Sequence, residues 1–169
     1  MAKTDSFFIR GEITQTAAGF LQESIDLGAF VDALGKSVLR IHNIEWRVTV
    51  DSEMAAGPSI AANNTLNVAT QLTTQSQSAL VTLNDKSVIA SARWTYSRGA
   101  AAYETLTYVN DVAPQAWEQG YLVGVESLYL ATDADASSAG GDYTISFVME
   151  CTVETLSEKA AMALALSQQ

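Results

Sequence analysis

The chain has 169 residues, of which 48% are hydrophobic, and its formal net charge is −10. This length fits one domain whose core needs neither a disulfide nor a metal, and the hydrophobic fraction excludes intrinsic disorder. The acidic charge argues against tight binding to nucleic acid or to anionic lipid.

Two strands are predicted near the N-terminus. Residues 1–6 contain no apolar signal core, so we expect a flexible N-terminus and no secretory leader. Phe7–Gln15 and Leu21–Leu27 follow as strand candidates, with the turn residue Gly19 between them.

Val38–Val50 has a stronger strand pattern. Apolar side chains alternate along it, but the phase of the alternation changes at His42-Asn43. A β-bulge adds one residue to a strand and explains such a change of phase. We therefore predict a long strand with a bulge or a sharp bend at His42-Asn43.

The stretch Met54–Asn84 contains no charged residue and is rich in Thr, Asn, Gln and Ser. It is too polar for a transmembrane segment, and none is predicted elsewhere. Because interface cores are depleted of charge, we interpret it as a contact region between subunits. Its strand, Thr65–Thr74, supplies three apolar contact residues: Leu66, Val68 and Leu72. The alternative is a long polar surface loop with an edge strand.

Three more strands are predicted in the centre of the chain, at Val88–Tyr96, Glu104–Val109 and Tyr121–Thr132. The last of them carries bulky apolar residues on both faces. We therefore expect it to be covered on both sides, by its own core and by a loop or a partner.

Residues 133–142 form an acidic, glycine-containing segment between two strands. Asp133, Asp135 and Asp142 supply carboxylate oxygens of the kind that bind calcium, although the EF-hand spacing of Gly and Glu is absent. The segment is therefore either a loose surface calcium site or a solvated acidic hairpin loop. No other metal site is predicted.

Tyr143–Val153 has the clearest strand pattern of the chain. Apolar and mostly polar residues alternate over eleven positions, which is typical of a half-buried antiparallel strand.

A helical tail is predicted over residues 155–169. Thr155-Leu156-Ser157-Glu158 fits a capping box, and the Ala- and Leu-rich residues that follow leave almost no polar face. Such a helix either folds onto its own sandwich or is buried in a neighbouring subunit. Its candidate interface residues are Leu156, Met162, Leu164 and Leu166.

About eight short strands separated by turns, with no long helices between them, predict an all-β fold. We expect an eight-stranded antiparallel β-sandwich or barrel with a short C-terminal helix, in a single domain of residues 1–169.

Residues suited to catalysis are scarce. His42 is the only histidine and Cys151 the only cysteine, and no G-x-S-x-G, GxxxxGK[ST] or C-x-x-C motif occurs. We therefore predict no catalytic site and no cofactor. His42 is interpreted as a structural or interface residue whose protonation near neutral pH would make assembly pH-dependent. Cys151 is interpreted as a buried, unreactive thiol.

Four arginines lie near aromatic residues on two predicted strands. These candidate nucleic-acid contacts are Arg40, Arg47, Arg93 and Arg98. Cations interleaved with aromatic rings can bind single strands, but these are few, so at most weak direct binding is predicted.

A family resemblance is carried by the strand layout from Phe7 to Val153, by Ser24–Val31 leading into Val38–Val50, and by the tail Leu156–Leu166. The arrangement resembles a single jelly-roll viral capsid protein. The resemblance implies two facing four-stranded sheets, terminal arms exchanged between subunits, and assembly of many copies into a virion shell. Other virion proteins would be further partners.

The N-terminal residues 1–6 lack the Arg/Lys run with which many such coat proteins neutralise a packaged genome. The main alternative function is a carbohydrate- or ligand-binding, lectin-like sandwich. Its exposed aromatic residues, which would stack on sugar rings, are Trp94, Tyr96, Trp117 and Tyr121.

Overall fold

Nine strands and one α-helix make up the described part of the computed structural model, which covers residues 4–16, 18–32, 36–50, 62–100, 104–134 and 143–168. The elements are β1 (Phe7–Gln15), β2 (Gly19–Asp26), β3 (Ser37–Val50), β4 (Asn64–Thr73), β5 (Val88–Arg98), β6 (Glu104–Val112), a short 3-10 turn (Pro114–Ala116), β7 (Tyr121–Val123), β8 (Ser127–Ala134), β9 (Tyr143–Thr155) and α1 (Glu158–Ser167).

The strands form two antiparallel sheets. One has the order β1-β9-β3-β7, and the other has the order β2-β8-β4-β5-β6. The successive strands β1, β2, β3 and β4 alternate between the two sheets. The first strand, β1, pairs antiparallel with the last strand, β9. Apart from the added β6, this is the strand order of a jelly roll, and the predicted fold class is confirmed.

The structure corrects the predicted strand count from eight to nine. The segment predicted as one strand over Tyr121–Thr132 is two strands, which belong to different sheets. The turn at residues 124–126 carries the chain from β7, paired with β3, to β8, paired with β2 and β4. Both faces of this segment are apolar because its two halves face the same core from opposite sides.

The predicted bulge in β3 is confirmed. The register between β3 and β9 shifts between Ile41 and Asn43, which turns the apolar side chains on both sides of His42 toward the core. Gly120 lies against this point with a positive φ of 63°. A Cβ there would stand 2.2 Å from the Ile41 carbonyl oxygen, so only glycine fits.

The core lies between the sheets and is built from alternate residues of each strand. On β9 the inward residues include Tyr143, Ile145, Phe147, Met149 and Cys151, as the sequence pattern predicts. The Phe147 ring packs against that of Trp46 on β3, with ring centroids 5.8 Å apart. Full burial of each such large side chain contributes about 1.5–3 kcal/mol to stability.

The N-cap of the C-terminal helix differs from the prediction, and the N-terminal segment contacts β9. Helix α1 begins after Ser157, whose Oγ accepts a hydrogen bond from the Ala160 amide, so Ser157 and not Thr155 is the N-cap. Near the N-terminus, Thr4 exchanges hydrogen bonds with Val153 of β9 at 3.1 and 3.0 Å, inside the segment predicted to be flexible. Among the described residues, no helix is long and apolar enough to cross a membrane.

Candidate functional site

Helix α1 buries one face and exposes an apolar one. Ala161 and Ala165 are buried, whereas Met162 is 50% exposed and Leu166 is 64% exposed. Because residues four apart are neighbours on a helix, these two side chains form one surface, which we call the helix patch. The other two predicted contacts on the tail, Leu156 and Leu164, are half-buried.

The helix is fixed to its own sandwich by the residue that follows it. The Gln168 side-chain oxygen accepts a hydrogen bond from the Gly124 amide at 2.8 Å, and its Nε2 donates to the Leu122 carbonyl at 2.7 Å. Its backbone carbonyl accepts hydrogen bonds from the side chains of Thr74 and Gln75. Of the two alternatives for the tail, the structure therefore shows it folded on its own sandwich.

The structure corrects the prediction for the apolar residues of the uncharged stretch. Leu66, Val68 and Leu72 are at most 1% exposed and belong to the core between the sheets. They cannot contact a neighbouring subunit because the opposite sheet already covers them. Their strand β4 lies between β8 and β5, so the alternative of an edge strand is also wrong.

The polar residues of the same stretch make hydrogen bonds within the chain. The Gln71 side chain bonds both the amide and the carbonyl of Val81, at 2.9 and 2.6 Å. The Gln77 side chain bonds the Ser87 hydroxyl at 3.1 Å. Within residues 62–84, the scarcity of charge therefore reflects burial and loop anchoring, while residues 54–61 lie outside the described residues.

An apolar groove of about 580 Å³ lies beside the turn that follows β6. Its lining includes the exposed Leu83 and Trp117, together with Tyr121 and Asp111. Burial raises the pKa of the Tyr121 hydroxyl, whereas its hydrogen bond with Gln168 lowers it. We call this site the Trp117 groove.

Two of the four aromatic residues proposed for sugar stacking do not fit that role. Trp94 is buried in the core and stacks on the Tyr108 ring at a centroid distance of 5.2 Å. Tyr96 is half-buried on the same strand, and burial raises its pKa. Trp117 and Tyr121 remain accessible together at the Trp117 groove.

Arg40 is not available to a nucleic acid. Its guanidinium forms a two-point ion pair with the Glu154 carboxylate at 2.6 and 2.8 Å and donates a third bond to the Gln119 carbonyl. Both side chains of the ion pair are largely buried. The prediction of a nucleic-acid contact at Arg40 is therefore wrong.

The three other arginines do not form one surface. Arg47 lies on the exposed face of β3, in the four-stranded sheet, whereas Arg93 and Arg98 lie on β5, in the five-stranded sheet. Arg93 is 3.3 Å from the Asp111 carboxylate, which partly neutralises it. A single strand of nucleic acid cannot follow all of these side chains along one groove.

His42 and Cys151 occupy structural positions on neighbouring strands. His42 is half-buried beside the β3 bulge, and its Nε2 is 2.9 Å from the Thr152 hydroxyl. Cys151 is buried, as predicted, and burial together with the Glu150 charge raises the pKa of its thiol to about 12. The thiolate that acts as a nucleophile therefore does not form near neutral pH.

Only one of the three predicted calcium ligands lies within the described residues. Asp133 is half-buried near the end of β8, whereas Asp135 and Asp142 lie outside the described residues. Within the described ranges, no three acidic, histidine or cysteine side chains are grouped around a metal-sized site. The calcium site stays a prediction.

No protein-family model matches the sequence, and no curated protein matches it. Among solved structures, VP1 of Trichodysplasia spinulosa-associated polyomavirus in complex with 3'-sialyllactose is similar to this chain. The TM-score is 0.50 at 9% identity, over 88% of this chain and 95% of the VP1 chain. Merkel Cell Polyomavirus VP1 in complex with disialyllactose gives a TM-score of 0.43 at 6% identity, over 90% of this chain and 97% of that chain. The structure of Desmodium yellow mottle tymovirus gives a TM-score of 0.32 at 10% identity, over 90% of this chain and 89% of that chain. The first of these likenesses shows that this chain has a fold found in viral capsid proteins.

Proposed function

We propose that this chain is a structural protein of a virion, and that many copies of it assemble into the capsid shell. The observation that carries the proposal is the jelly-roll strand order of the two sheets, β1-β9-β3-β7 and β2-β8-β4-β5. A shell requires a rigid subunit with charge-poor contact surfaces. It does not require a reactive group. Symmetric repetition then turns individually weak contacts into a stable particle.

The helix patch is the contact surface that we propose for this assembly. Met162 and Leu166 are large, exposed apolar residues on a molecule whose net charge is −10. The bonds of Gln168 hold the helix in a fixed orientation, so a neighbour meets an ordered surface. Assembly therefore needs no exchange of the tail between subunits.

The double variant Met162→Glu/Leu166→Glu tests this contact. Both positions are exposed, so we expect a folded chain that remains monomeric by size-exclusion chromatography and forms no particles by negative-stain microscopy. The matched control is Ala163→Glu/Ser167→Glu, which adds the same charge at two other exposed positions of α1 and should still assemble.

Two outcomes would count against the proposal in different ways. If the Met162→Glu/Leu166→Glu variant forms normal particles, the helix patch is not the contact. If the unmodified chain stays monomeric at high concentration in every buffer, the capsid proposal itself fails.

The proposed partners are copies of this chain and other proteins of the virion. With a net charge of −10 and Arg40 held in an ion pair, the chain is poorly suited to neutralise a genome. We propose that direct nucleic-acid binding is weak or absent, and that other components neutralise the genome.

A second candidate function is carbohydrate binding at the Trp117 groove. Trp117 is 56% exposed and lines the groove with Tyr121 and Asp111, which supplies an aromatic face beside a carboxylate acceptor. A glycan array with the unmodified chain and with Trp117→Ala tests it. The expected result is binding that Trp117→Ala abolishes and that Phe8→Ala, at an exposed aromatic residue of β1, leaves unchanged. If the unmodified chain retains no glycan, this candidate is excluded.

A further inference from the structure

Strand β6 is the outermost strand of the five-stranded sheet. Among the described residues, it pairs with β5 on one side and with no strand on the other. In the four-stranded sheet, by contrast, the Gln115 side chain hydrogen-bonds both the amide and the carbonyl of Ile44 and so covers part of the free edge of β3. A strand edge with free amide and carbonyl groups recognises another extended chain.

The central residues of β6, 105–110, lack the devices that usually protect such an edge, because the acidic residues Glu104 and Asp111 and the register shift at Asp111 lie on either side of them. Residues 105–110 contain no charge and no proline, and nearly all of their side chains are exposed. Thr, Leu, Tyr and Val all occur among them, and most of these residues favour strands. Exposed edges normally carry lysine, proline or a bulge to prevent pairing with another molecule.

The core-facing side of β6 is not fully covered by the four-stranded sheet. Leu106 and Tyr108 stand opposite Tyr96 and Trp94 of β5, so they lie on the face that elsewhere forms the core. Leu106 is nevertheless 58% exposed and Tyr108 is 41% exposed. A fifth strand therefore projects past the four-stranded sheet and leaves an apolar strip uncovered.

We infer that β6 pairs antiparallel with β6 of a second copy of this chain, about a two-fold axis at Thr107. The inference rests on the proposed assembly and names one of its contacts. In this register Leu106 of each copy stands opposite Tyr108 of the other, so the two uncovered strips become continuous. Thr105 stands opposite Val109, which is also a favourable cross-strand pair.

In that register the acidic residues lie at the two ends of the contact, where Glu104 of each copy stands opposite Asn110 of the other, one position from its Asp111. The Asp111 carboxylates of the two copies lie about 27 Å apart along the paired strands, at about 3.4 Å per residue. Each is also partly neutralised by Arg93 of its own chain. The acidic charge that separates copies elsewhere is therefore absent from the centre of this contact.

The β6–β6 contact is small, and its small size determines which experiment can detect it. A nine-residue strand buries less than the about 800 Å² per partner of a stable interface, so the isolated pair is weak. We therefore test it by covalent trapping. The native background is low, because the pKa of the buried Cys151 thiol is raised to about 12.

The test compares Thr107→Cys with Thr105→Cys in the full-length chain under mild oxidation. Both threonines are exposed on the same face of β6. At the axis, the two substituted positions are within the about 7 Å that a disulfide spans, whereas the two copies of position 105 are about 14 Å apart along the strands. We expect a disulfide-linked dimer for Thr107→Cys on non-reducing gels, at least tenfold more abundant than for Thr105→Cys.

Circular dichroism of both variants confirms that they are folded before oxidation. No dimer from folded Thr107→Cys, or equal dimer from both variants, overturns the inference. Particles of the unmodified chain combined with either of these results leave the capsid proposal standing and reject this contact. A Thr107→Cys dimer combined with a complete lack of particles supports the contact and rejects the capsid proposal.

Discussion

Arg40 and Glu154 show how burial changes the role of a charged residue. The two side chains are 114 positions apart in sequence, and pairing of β3 with β9 brings them together on the outer face of their sheet. A carboxylate that is largely buried needs a partner, because transfer from water without one is costly. Arg40 therefore serves the fold and not a ligand.

We predict that Arg40→Ala lowers the free energy of unfolding by about 3 kcal/mol, since it leaves the Glu154 carboxylate buried without its cation. Urea unfolding of the dissociated chain measures the effect. Arg47→Ala, at an exposed position of the same strand, should change stability by less than about 0.5 kcal/mol. The double variant Arg40→Met/Glu154→Leu should recover most of the loss, and a loss below about 1 kcal/mol for Arg40→Ala would contradict this interpretation.

The Cys151 thiol makes the free energy of unfolding depend on pH in the alkaline range. Burial raises the pKa of its thiol from 9.0 to about 12. Between these values the unfolded chain loses the thiol proton while the folded chain keeps it. The stabilisation is therefore complete below about pH 9 and is lost as the pH rises toward 12.

We predict that the free energy of unfolding falls by about 1.4 kcal/mol per pH unit from this group over that interval. Unfolding of the unmodified chain and of Cys151→Ala, measured at several pH values, isolates its contribution. Desolvation also raises the pKa values of the Tyr96, Tyr108 and Tyr121 hydroxyls, and these groups act in the same direction in both proteins. Equal slopes for the two proteins would show that Cys151 does not titrate in this way.

At the scale of elements, α1 depends on tertiary contacts. A helix of ten residues is marginal in water, so its stability comes from docking. Gly124 allows the close approach, because a Cβ there would stand 3.0 Å from the Leu164 side chain. Gln168 completes the contact through its bonds to Gly124 and Leu122.

We predict that Gln168→Glu releases the helix, because it replaces a donor to the Leu122 carbonyl with a buried carboxylate oxygen. The loss of about 2 kcal/mol in docking should accelerate amide exchange across α1 by at least tenfold. Hydrogen exchange followed by mass spectrometry measures it, and Gln119→Glu makes the same change at an exposed position as a control.

Gly124→Val tests the same contact from the sandwich side and should also accelerate exchange in α1. Gly99→Val is its control, since a Cβ at Gly99 meets no atom within 4 Å. Unchanged α1 exchange in both Gln168→Glu and Gly124→Val would mean that these contacts do not hold the helix.

At the scale of the whole molecule, charge opposes assembly and the apolar surfaces favour it. Copies that each carry a net charge of −10 repel one another. Salt shortens the range of this repulsion, with a screening length of about 10 Å at 0.1 M and about 3 Å at 1 M. Apolar contacts such as the helix patch are not weakened by salt in the same way.

We therefore predict that the protein concentration needed for assembly falls several-fold when NaCl is raised from about 0.05 to about 0.5 M. Light scattering against protein concentration measures this threshold. The Met162→Glu/Leu166→Glu variant should not assemble at either salt concentration. A threshold that rises with salt would instead indicate that ion pairs between subunits drive assembly.

The sequence by itself predicted most of the strands. The period-two pattern of Tyr143–Val153 and the change of phase at His42-Asn43 are local properties, and β9 and the bulge in β3 confirm them. Turn residues between the patterned segments led to the sandwich class. Local hydropathy is sufficient here because alternation directly records which side of a strand faces the core.

Only the tertiary structure decided which apolar and charged residues remain accessible. Leu66 and Leu166 are the same residue type, yet one lies in the core and the other on the surface, because β4 is central in its sheet and α1 docks on the outside. The partner of Arg40, the anchoring role of Gln168 and the free edge of β6 follow from strand order. Strand order depends on pairings between segments far apart in the chain, and a local pattern does not encode them.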